Sequence, residues 1–519
     1  MVDSDAHLGS GGDLLGHPRG LVILFFAEMW ERFSFYGMRG LLILYLTKHW
    51  LFSDGIASGI YAGYASLVYL MPVIGGVIAD RYLGFRKAVI LGAVLLCCGH
   101  LGMAFEGEPA TWQGGAVVQD AFALQVFYLS LALIIVGVGL LKPSISSIVG
   151  QLYAPEDGRR DGGFTIFYMG INVGAVLAAL TCGYLGETYG WAYGFGLAGF
   201  GMLLGLVTFV LGRDWLVGLG EPPQDAGLDR SHAGVSRINW IYIGILVMVG
   251  CAYLLVQHQT VIGGLLSLAS ILAVLGVLGY MVVACSPRER KSMGLLLLLT
   301  AYSVIFWALF EQAGSSMNLF ADRNVDRTVF GFTITAAQLQ FFNPGFIILL
   351  APLFSMLWVR LDRLGIEPSS SAKFALGVLQ AGLGFFLLFY GIQRADETGQ
   401  VAMLWLALAY FVHTTGELCL SPVGLSMVTK LSVPRVVGFM MGVWFLASSV
   451  AHYLAGLIAA LASVPGDTQA DVAGDTLGSA SLSIYAETFY TVGLVGVLAG
   501  LALLCLAPAL SRWMDPDRG

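Results

Sequence analysis

The sequence predicts an all-α membrane protein of fourteen transmembrane helices, arranged as two six-helix bundles with an inserted two-helix hairpin. Three observations predict this class. The 519 residues are 57% hydrophobic and only 11% charged, with a mean hydropathy of +0.80, whereas a soluble domain is about 25% charged. Apolar segments long enough to cross a bilayer recur along the whole chain. A weak internal repeat, offset by about 280 residues, relates the first six segments to the last six.

Residues 1–19 form a polar, Gly-rich tail. No basic stretch precedes an apolar core there, so no cleavable signal peptide is expected and the run from Leu21 stays as the first span. The N-terminal bundle, 20–212, is expected to place its spans near 20–48, 56–79, 87–106, 121–149, 162–186 and 190–212. A cytoplasmic linker, 213–237, leads to the hairpin at 238–285, with spans near 238–257 and 261–285 and polar residues mainly at its turn, Gln257, His258 and Gln259. The C-terminal bundle, 293–510, follows with spans near 293–320, 335–360, 373–392, 402–429, 436–463 and 485–510, and a tail at 511–519.

Basic residues concentrate in alternate loops: Arg81, Arg86 and Lys87; Arg159 and Arg160; Arg213, Arg230 and Arg237; Arg288, Arg290 and Lys291; Arg360 and Arg363; Lys430 and Arg435. The opposite loops are poorer in them, and 464–484 is acidic, with Asp467, Asp471 and Asp475. The positive-inside rule then puts both termini in the cytoplasm of a multi-pass inner (plasma) membrane protein. The repeat supports the same count. Asp80-Arg81-Tyr82-Leu83-Gly84 is echoed by Asp362-Arg363-Leu364-Gly365, Lys142-Pro143 by Ser421-Pro422, and Ser147 by Ser426. Transporters built from such repeats hold their substrate near the bilayer midplane between the halves.

A formal net charge of −7 points to no nucleic-acid partner. Cys97, Cys98, Cys182, Cys251, Cys285, Cys419 and Cys505 lie in or at the ends of apolar segments without metal-site or redox spacing, as structural thiols would. No metal and no cofactor is expected.

The first span is the most informative. Glu28, Glu31, Arg32, Phe35, Tyr36 and Arg39 fall within an arc of about 140° on a helix of about 100° per residue. Four charges at the bilayer centre would cost roughly 10 kcal/mol, and about a dozen large apolar residues recover only about 6. The stripe must face other helices or a water-filled path, which marks a transport protein.

Local motifs sharpen this. Gly76-x-x-x-Asp80-Arg81-x-x-Gly84-x-Arg86-Lys87 resembles the loop motif of the major facilitator superfamily, in which a carboxylate and cations clamp neighbouring helix ends. Glu28-x-x-Glu31-Arg32-Phe33-x-Phe35-Tyr36 resembles the first-span motif of the proton-dependent oligopeptide transporter family. Phe167-Tyr168-Met169-Gly170-Ile171-Asn172-Val173-Gly174 resembles that family's second diagnostic pattern. Leu141-Lys142-Pro143, Phe306-Trp307-x-x-x-Glu311-Gln312, Asn343-Pro344, Gly416-Glu417-Leu418-x-x-Ser421-Pro422 and Gly442-x-Trp444 extend the resemblance over nearly the whole chain.

The charges also speak to the substrate. The first six spans supply the bases Arg32, Arg39 and Lys142 along with Glu28 and Glu31, and the second half supplies the acids Glu311 and Glu417. A ligand with a carboxylate at one end and an amine at the other suits that division, as a dipeptide or tripeptide does. The resemblance implies that Arg39 and Lys142 hold the peptide carboxylate, and that Asn172, Asn343 and Glu417 hold its amino terminus. It implies that Glu28, Glu31, Arg32 and Glu311 couple protonation to binding, with Arg39, Glu311, Lys142 and Glu417 gating. Tyr36, Tyr64, Tyr69, Tyr168, Trp307 and Trp444 are candidate aromatic walls, with Ser448 a further candidate contact. His413 and His452 read as packing residues. Two positions depart from the family: Phe35 stands where many members have tyrosine, and Phe310 where some have an acid. Both bear on peptide length and coupling stoichiometry.

The expected function is proton-coupled symport of di- and tripeptides by alternating access, with protons as coupling ion and a monomer as the working unit. A transporter of the same fold for another amphoteric or anionic solute, such as a peptide-like drug or nitrate, is the alternative, though Glu311 and Glu417 disfavour a bare anion. A membrane peptidase lacks support, since the chain has no His-Glu-x-x-His and no Gly-x-Ser-x-Gly motif.

Overall fold

The computed structural model describes residues 12–154, 156–216, 218–223, 226–228, 231–232, 234–463 and 475–514. The outer parts of both expected tails, Arg230, and Asp467 and Asp471 of the acidic loop lie outside them. The described chain is overwhelmingly helical. In order come α1 (Gly20–Lys48), α2 (Asp54–Ile78), α3 (Phe85–Met103), α4 (Ala121–Gln151), α5 (Arg160–Tyr189), α6 (Trp191–Leu211), α7 (Arg237–Gln257) and α8 (Gln259–Ala284). Then follow α9 (Pro287–Phe310), α10 (Ser316–Asn324), α11 (Phe342–Arg363), α12 (Ser370–Ile392), α13 (Met403–Leu431), α14 (Val437–Leu461) and α15 (Asp475–Met514). Thirteen helical segments among the described residues are long and apolar enough to cross a membrane. The charges of α1 keep it off that count, and with it the number reaches the expected fourteen.

Helix starts follow from capping. The Asp120 carboxylate accepts from the backbone N–H groups of Phe122 and Ala123 at 3.0 and 3.1 Å and so begins α4. Ser286 and Glu289 form a reciprocal capping box ahead of α9, with Pro287 at the first helical position. Prolines 72, 143, 352, 422 and 508 lie inside helices. In α4, Pro143 has no N–H to offer the carbonyl of Gly139, and Gly75 of α2 sits against that oxygen so closely that a Cβ would come within 2.1 Å of it.

Two regions depart from a simple span. The end of α2 runs on as a π turn, Ala79–Leu83, that carries Asp80 and Arg81. The span expected over 293–320 is broken: α9 stops at Phe310, a 3-10 turn covers Glu311–Gly314, and α10 starts afresh at Ser316. No proline marks that break. Gln312 makes it, donating from Nε2 to the Ala308 carbonyl at 3.0 Å and to the Ala455 carbonyl of α14 at 2.9 Å, while Ser316 donates to Gln312 Oε1 at 2.7 Å.

The described residues form two compact units. The first holds those within Met1–Tyr45 and Leu67–His258. In it Tyr45 packs among Phe127, Trp191 and Phe195, and Phe33 packs with Ala178, Cys182 and Ala198. Helix α7 joins this unit beside α4, with the Tyr253 hydroxyl donating to Gln125. The π turn is anchored here too. Gly84 has φ 75° and a Cβ on it would meet Pro222 N at 2.5 Å, so glycine is required on both counts. Arg86 then donates from its backbone N–H to the Gly220 carbonyl at 2.9 Å and pairs through its guanidinium with Glu221. The clamp expected of the loop motif is made by Arg86; Asp80, Arg81 and Lys87 are exposed.

The second unit holds the described residues within Leu46–Ser66 and Gln259–Gly519. Phe320, Tyr485, Phe489 and Phe385 build its aromatic core. Helix α8 lies along α14, where Gly263 makes room for the Tyr453 ring. The segment 46–66, from the end of α1 and the start of α2, is built into this unit. Gly456 of α14 abuts Ala62, and Ser449 Oγ donates to the Ser66 carbonyl at 2.8 Å.

Candidate functional site

The polar stripe of α1 is buried in the first unit. Glu28, Glu31 and Arg32 are 3%, 0% and 3% exposed, which agrees with the insertion cost that bars them from lipid. Arg32 grips Glu31 with a fork: Nη2 donates to Oε1 at 2.6 Å and Nε to Oε2. The same Nε lies 3.3 Å from Glu28 Oε1, one turn away. One cation thus serves two carboxylates, and the triad carries a surplus negative charge whenever both are ionised. Lys142 of α4 lies within electrostatic reach of Glu28, and its ammonium sits 4.6 Å from the centre of the Tyr69 ring. Arg32 also lies over Phe35 at 5.0 Å, and Arg39 over Tyr36 at 5.9 Å. Phe35 therefore serves as a cation platform, a use that needs no hydroxyl. In α5, Asn172 is buried and donates to the Tyr168 carbonyl at 3.1 Å, while the Tyr168 side chain is exposed.

The second unit gathers the acids. Glu417 of α13 accepts from Asn343 Nδ2 of α11 at 3.0 Å, and that amide also donates to Thr414 Oγ1 at 3.1 Å. Glu311 lies within electrostatic reach of Glu417. Trp307 and Phe310 meet edge to face beside Glu311, with ring centres 5.4 Å apart. Trp444 of α14 packs over Gly424, where a Cβ would come within 2.9 Å of the indole, and Ser448 donates to the Trp444 carbonyl at 3.1 Å. Tyr64 is buried in this same unit.

Several residues here carry no signal in the sequence. His452 of α14 places Nε2 3.4 Å from Glu311 Oε1, whereas His413 packs with Nε2 2.9 Å from the Ala381 carbonyl. Thr414 completes the grip on Asn343. Arg323 of α10 forks onto Asp54, at 2.6 and 2.7 Å, and Lys48 meets Asp322 at 2.6 Å, so two ion pairs fasten segment 46–66 to α10. Only the tertiary structure brings these partners together, since 269 residues separate Asp54 from Arg323.

The chain is similar to known proteins along nearly its whole length. The family model described as POT family matches residues 86–473. The peptide transporter YePEPT of Yersinia enterocolitica is 36% identical over 541 residues, covering 100% of this chain and 99% of that protein. Dipeptide and tripeptide permease A of Pectobacterium carotovorum is 32% identical over 495 residues, covering 95% and 92%. Among solved structures, the peptide transporter POT in complex with sulfate is 36% identical with a TM-score of 0.78, over 97% of each chain. A POT family transporter in complex with 5-aminolevulinic acid is 31% identical with a TM-score of 0.78, over 96% of this chain and 98% of the other. The fourteen spans among the described residues thus adopt the major facilitator fold of these transporters. The chain is a multi-pass membrane protein and belongs to the POT family.

Proposed function

We propose that the protein is a proton-coupled symporter of di- and tripeptides, working by alternating access. The division of charge carries the reading. The first unit presents Arg39 and Lys142, cations suited to a peptide carboxylate, and the second presents Glu417, held by Asn343, an acid suited to a peptide amine. Asn172 would assist at the amine end. Tyr36, Tyr64, Tyr69, Tyr168, Trp307, Trp444 and Ser448 would line the path and tolerate varied side chains, because the ends of a peptide are its constant features.

Coupling follows from the α1 triad. Protonating Glu28 breaks one contact with Arg32, while protonating Glu31 disturbs a two-bond fork. Glu28 is therefore the carboxylate that accepts a proton at the smaller loss, and Glu31 keeps Arg32 oriented. The transporter would need no cofactor beyond the proton, act as a monomer in the inner (plasma) membrane with both termini cytoplasmic, and leave its substrate unhydrolysed. The permease relatives support the substrate class.

Uptake of labelled dialanine by proteoliposomes of the purified protein tests this. Uptake should be competed by unlabelled dipeptides, weakly by analogues blocked at either end and not by nitrate, and the label should be recovered as intact dipeptide. Transport indifferent to dipeptides, or recovery of free alanine, would contradict the reading.

A further inference from the structure

The end of α8 and the starts of α9 and α14 enclose a cavity of about 190 Å³. Gly276, Val277 and Tyr280 of α8, Met293 of α9, and Phe439 and Met440 of α14 line it. This lining is apolar but for the Tyr280 hydroxyl, which is buried and makes no hydrogen bond among the described residues. A Cβ on Gly276 would meet nothing within 4 Å, so there is open space beside it. Leu272, Leu275, Val282 and Phe439 are each more than half exposed, and in a membrane protein such a face meets lipid. From Gly276 to the end of α8 at Ala284 is two turns, about 12 Å along the axis.

A basic rim closes the outer end. Arg435, one turn before Phe439, donates to the Ala284 carbonyl at 2.8 Å, and its guanidinium lies 5.9 Å from the centre of the Tyr280 ring. Arg290, one turn before Met293, caps the same helix end by donating to the Met281, Val282 and Cys285 carbonyls at 2.8, 2.8 and 3.0 Å. Arg288, Lys291 and Lys430 are exposed in the same two loops. Glu289 is the only acid in 284–294 and 429–440, and it stands 3.7 Å from Arg435, beyond hydrogen-bonding distance. A guanidinium has five N–H groups, so Arg435 keeps donors for a further acceptor.

We infer that this cavity and its rim bind an anionic phospholipid, with an acyl chain in the cavity and the phosphate at Arg435. The Tyr280 hydroxyl then donates to a headgroup or ester oxygen, which gives a buried polar group its partner. Charge selects the occupant. Acyl chains are alike among phospholipids, whereas several cations around one acid favour a headgroup of net negative charge. A soluble phosphate would meet the cations and leave the apolar cavity without use. The site lies on the lipid-facing side of the unit and is independent of the transported substrate.

The test uses the full-length protein in detergent, with native mass spectrometry at equal concentrations of phosphatidylglycerol and phosphatidylcholine. The wild-type protein should retain phosphatidylglycerol in preference. Arg435→Gln should lower that retention about fivefold. Gly276→Leu, which fills the cavity from a position with open space around its Cβ, should lower it too. Glu289→Gln keeps the capping box, because glutamine serves at that position as glutamate does. It removes the acid beside Arg435 and should raise retention. A damaged fold would not move binding in opposite directions in Arg435→Gln and Glu289→Gln. Equal retention of both lipids by the wild-type protein, or an unchanged preference in those two variants, would overturn the inference. Displacement of the lipid by glycerol phosphate at the same concentration would overturn it in favour of a soluble phosphate. A two-chain species lost in Gly276→Leu would overturn it in favour of a second copy of the chain.

Discussion

Replacing Asp54 by Asn tests how segment 46–66 is fastened within its unit. Asp54 is 1% exposed and accepts both branches of the Arg323 guanidinium at 2.6 and 2.7 Å. Each charge-assisted bond is worth about 1.5–3 kcal/mol, and an amide oxygen in the same place can retain one neutral-acceptor bond of about 1. The loss is therefore about 2–5 kcal/mol, in line with the 3–5 found when one partner of a buried pair is removed. Asp322, next along α10, lies near enough to interact with Arg323 and softens the loss toward about 3 kcal/mol. That corresponds to a docking equilibrium changed by about a hundredfold. Spin-label distances between segment 46–66 and α10 in the purified protein would read it as a broadened population in Asp54→Asn. Charge exchange, Asp54→Arg with Arg323→Asp, should restore part of the wild-type distribution. An unchanged distribution in the single variant would refute the reasoning, because the pair would then hold nothing.

Five other substitutions follow from the geometry. Glu28→Gln should abolish gradient-driven dipeptide accumulation while counterflow survives, and Glu31→Gln should also lower thermal stability by freeing Arg32 from its fork; normal accumulation in either variant would remove that residue from coupling. Glu417→Gln should narrow the advantage of dipeptides over analogues lacking the amino group, and Lys142→Gln should narrow it over analogues with an amidated carboxyl end, by about tenfold or more each; competition assays in which both variants lose all ligands equally would sink the end-specific assignment. Gly84→Ala should destabilise the first unit by more than the roughly 1–3 kcal/mol of a non-glycine residue held at positive φ with an extended ψ, since its Cβ also meets Pro222 N; a melting temperature equal to wild type, by intrinsic fluorescence in detergent, would contradict the clamp.

Much of the fold was legible because the bilayer forces apolar runs to be helices of a set length. The run flanking the α1 charges predicts 20–48 and the helix spans Gly20–Lys48. The repeat-matched serines share a physical role, Ser147 donating to the Pro143 carbonyl at 2.8 Å and Ser426 to the Val423 carbonyl at 2.9 Å, each within its proline-containing helix. The break after Phe310 was hidden because its cause is a bond from Gln312 to a helix 143 residues away. His452 reads as packing for the same reason. Its neighbour Glu311 comes from the 3-10 turn after α9, and no periodicity along α14 reports a carboxylate contributed by another element. Buried charge was visible as an energetic anomaly. Which charge meets which was visible only within one helix, as with Glu28, Glu31 and Arg32.

The central claim is that a proton moves with each peptide. Proteoliposomes with a pH dye trapped inside, and no imposed gradient, test it directly when dialanine is added outside. Coupled symport predicts that the lumen acidifies in step with dipeptide entry, and that the signal disappears in Glu28→Gln. Dipeptide entry at the wild-type rate without acidification would contradict the account.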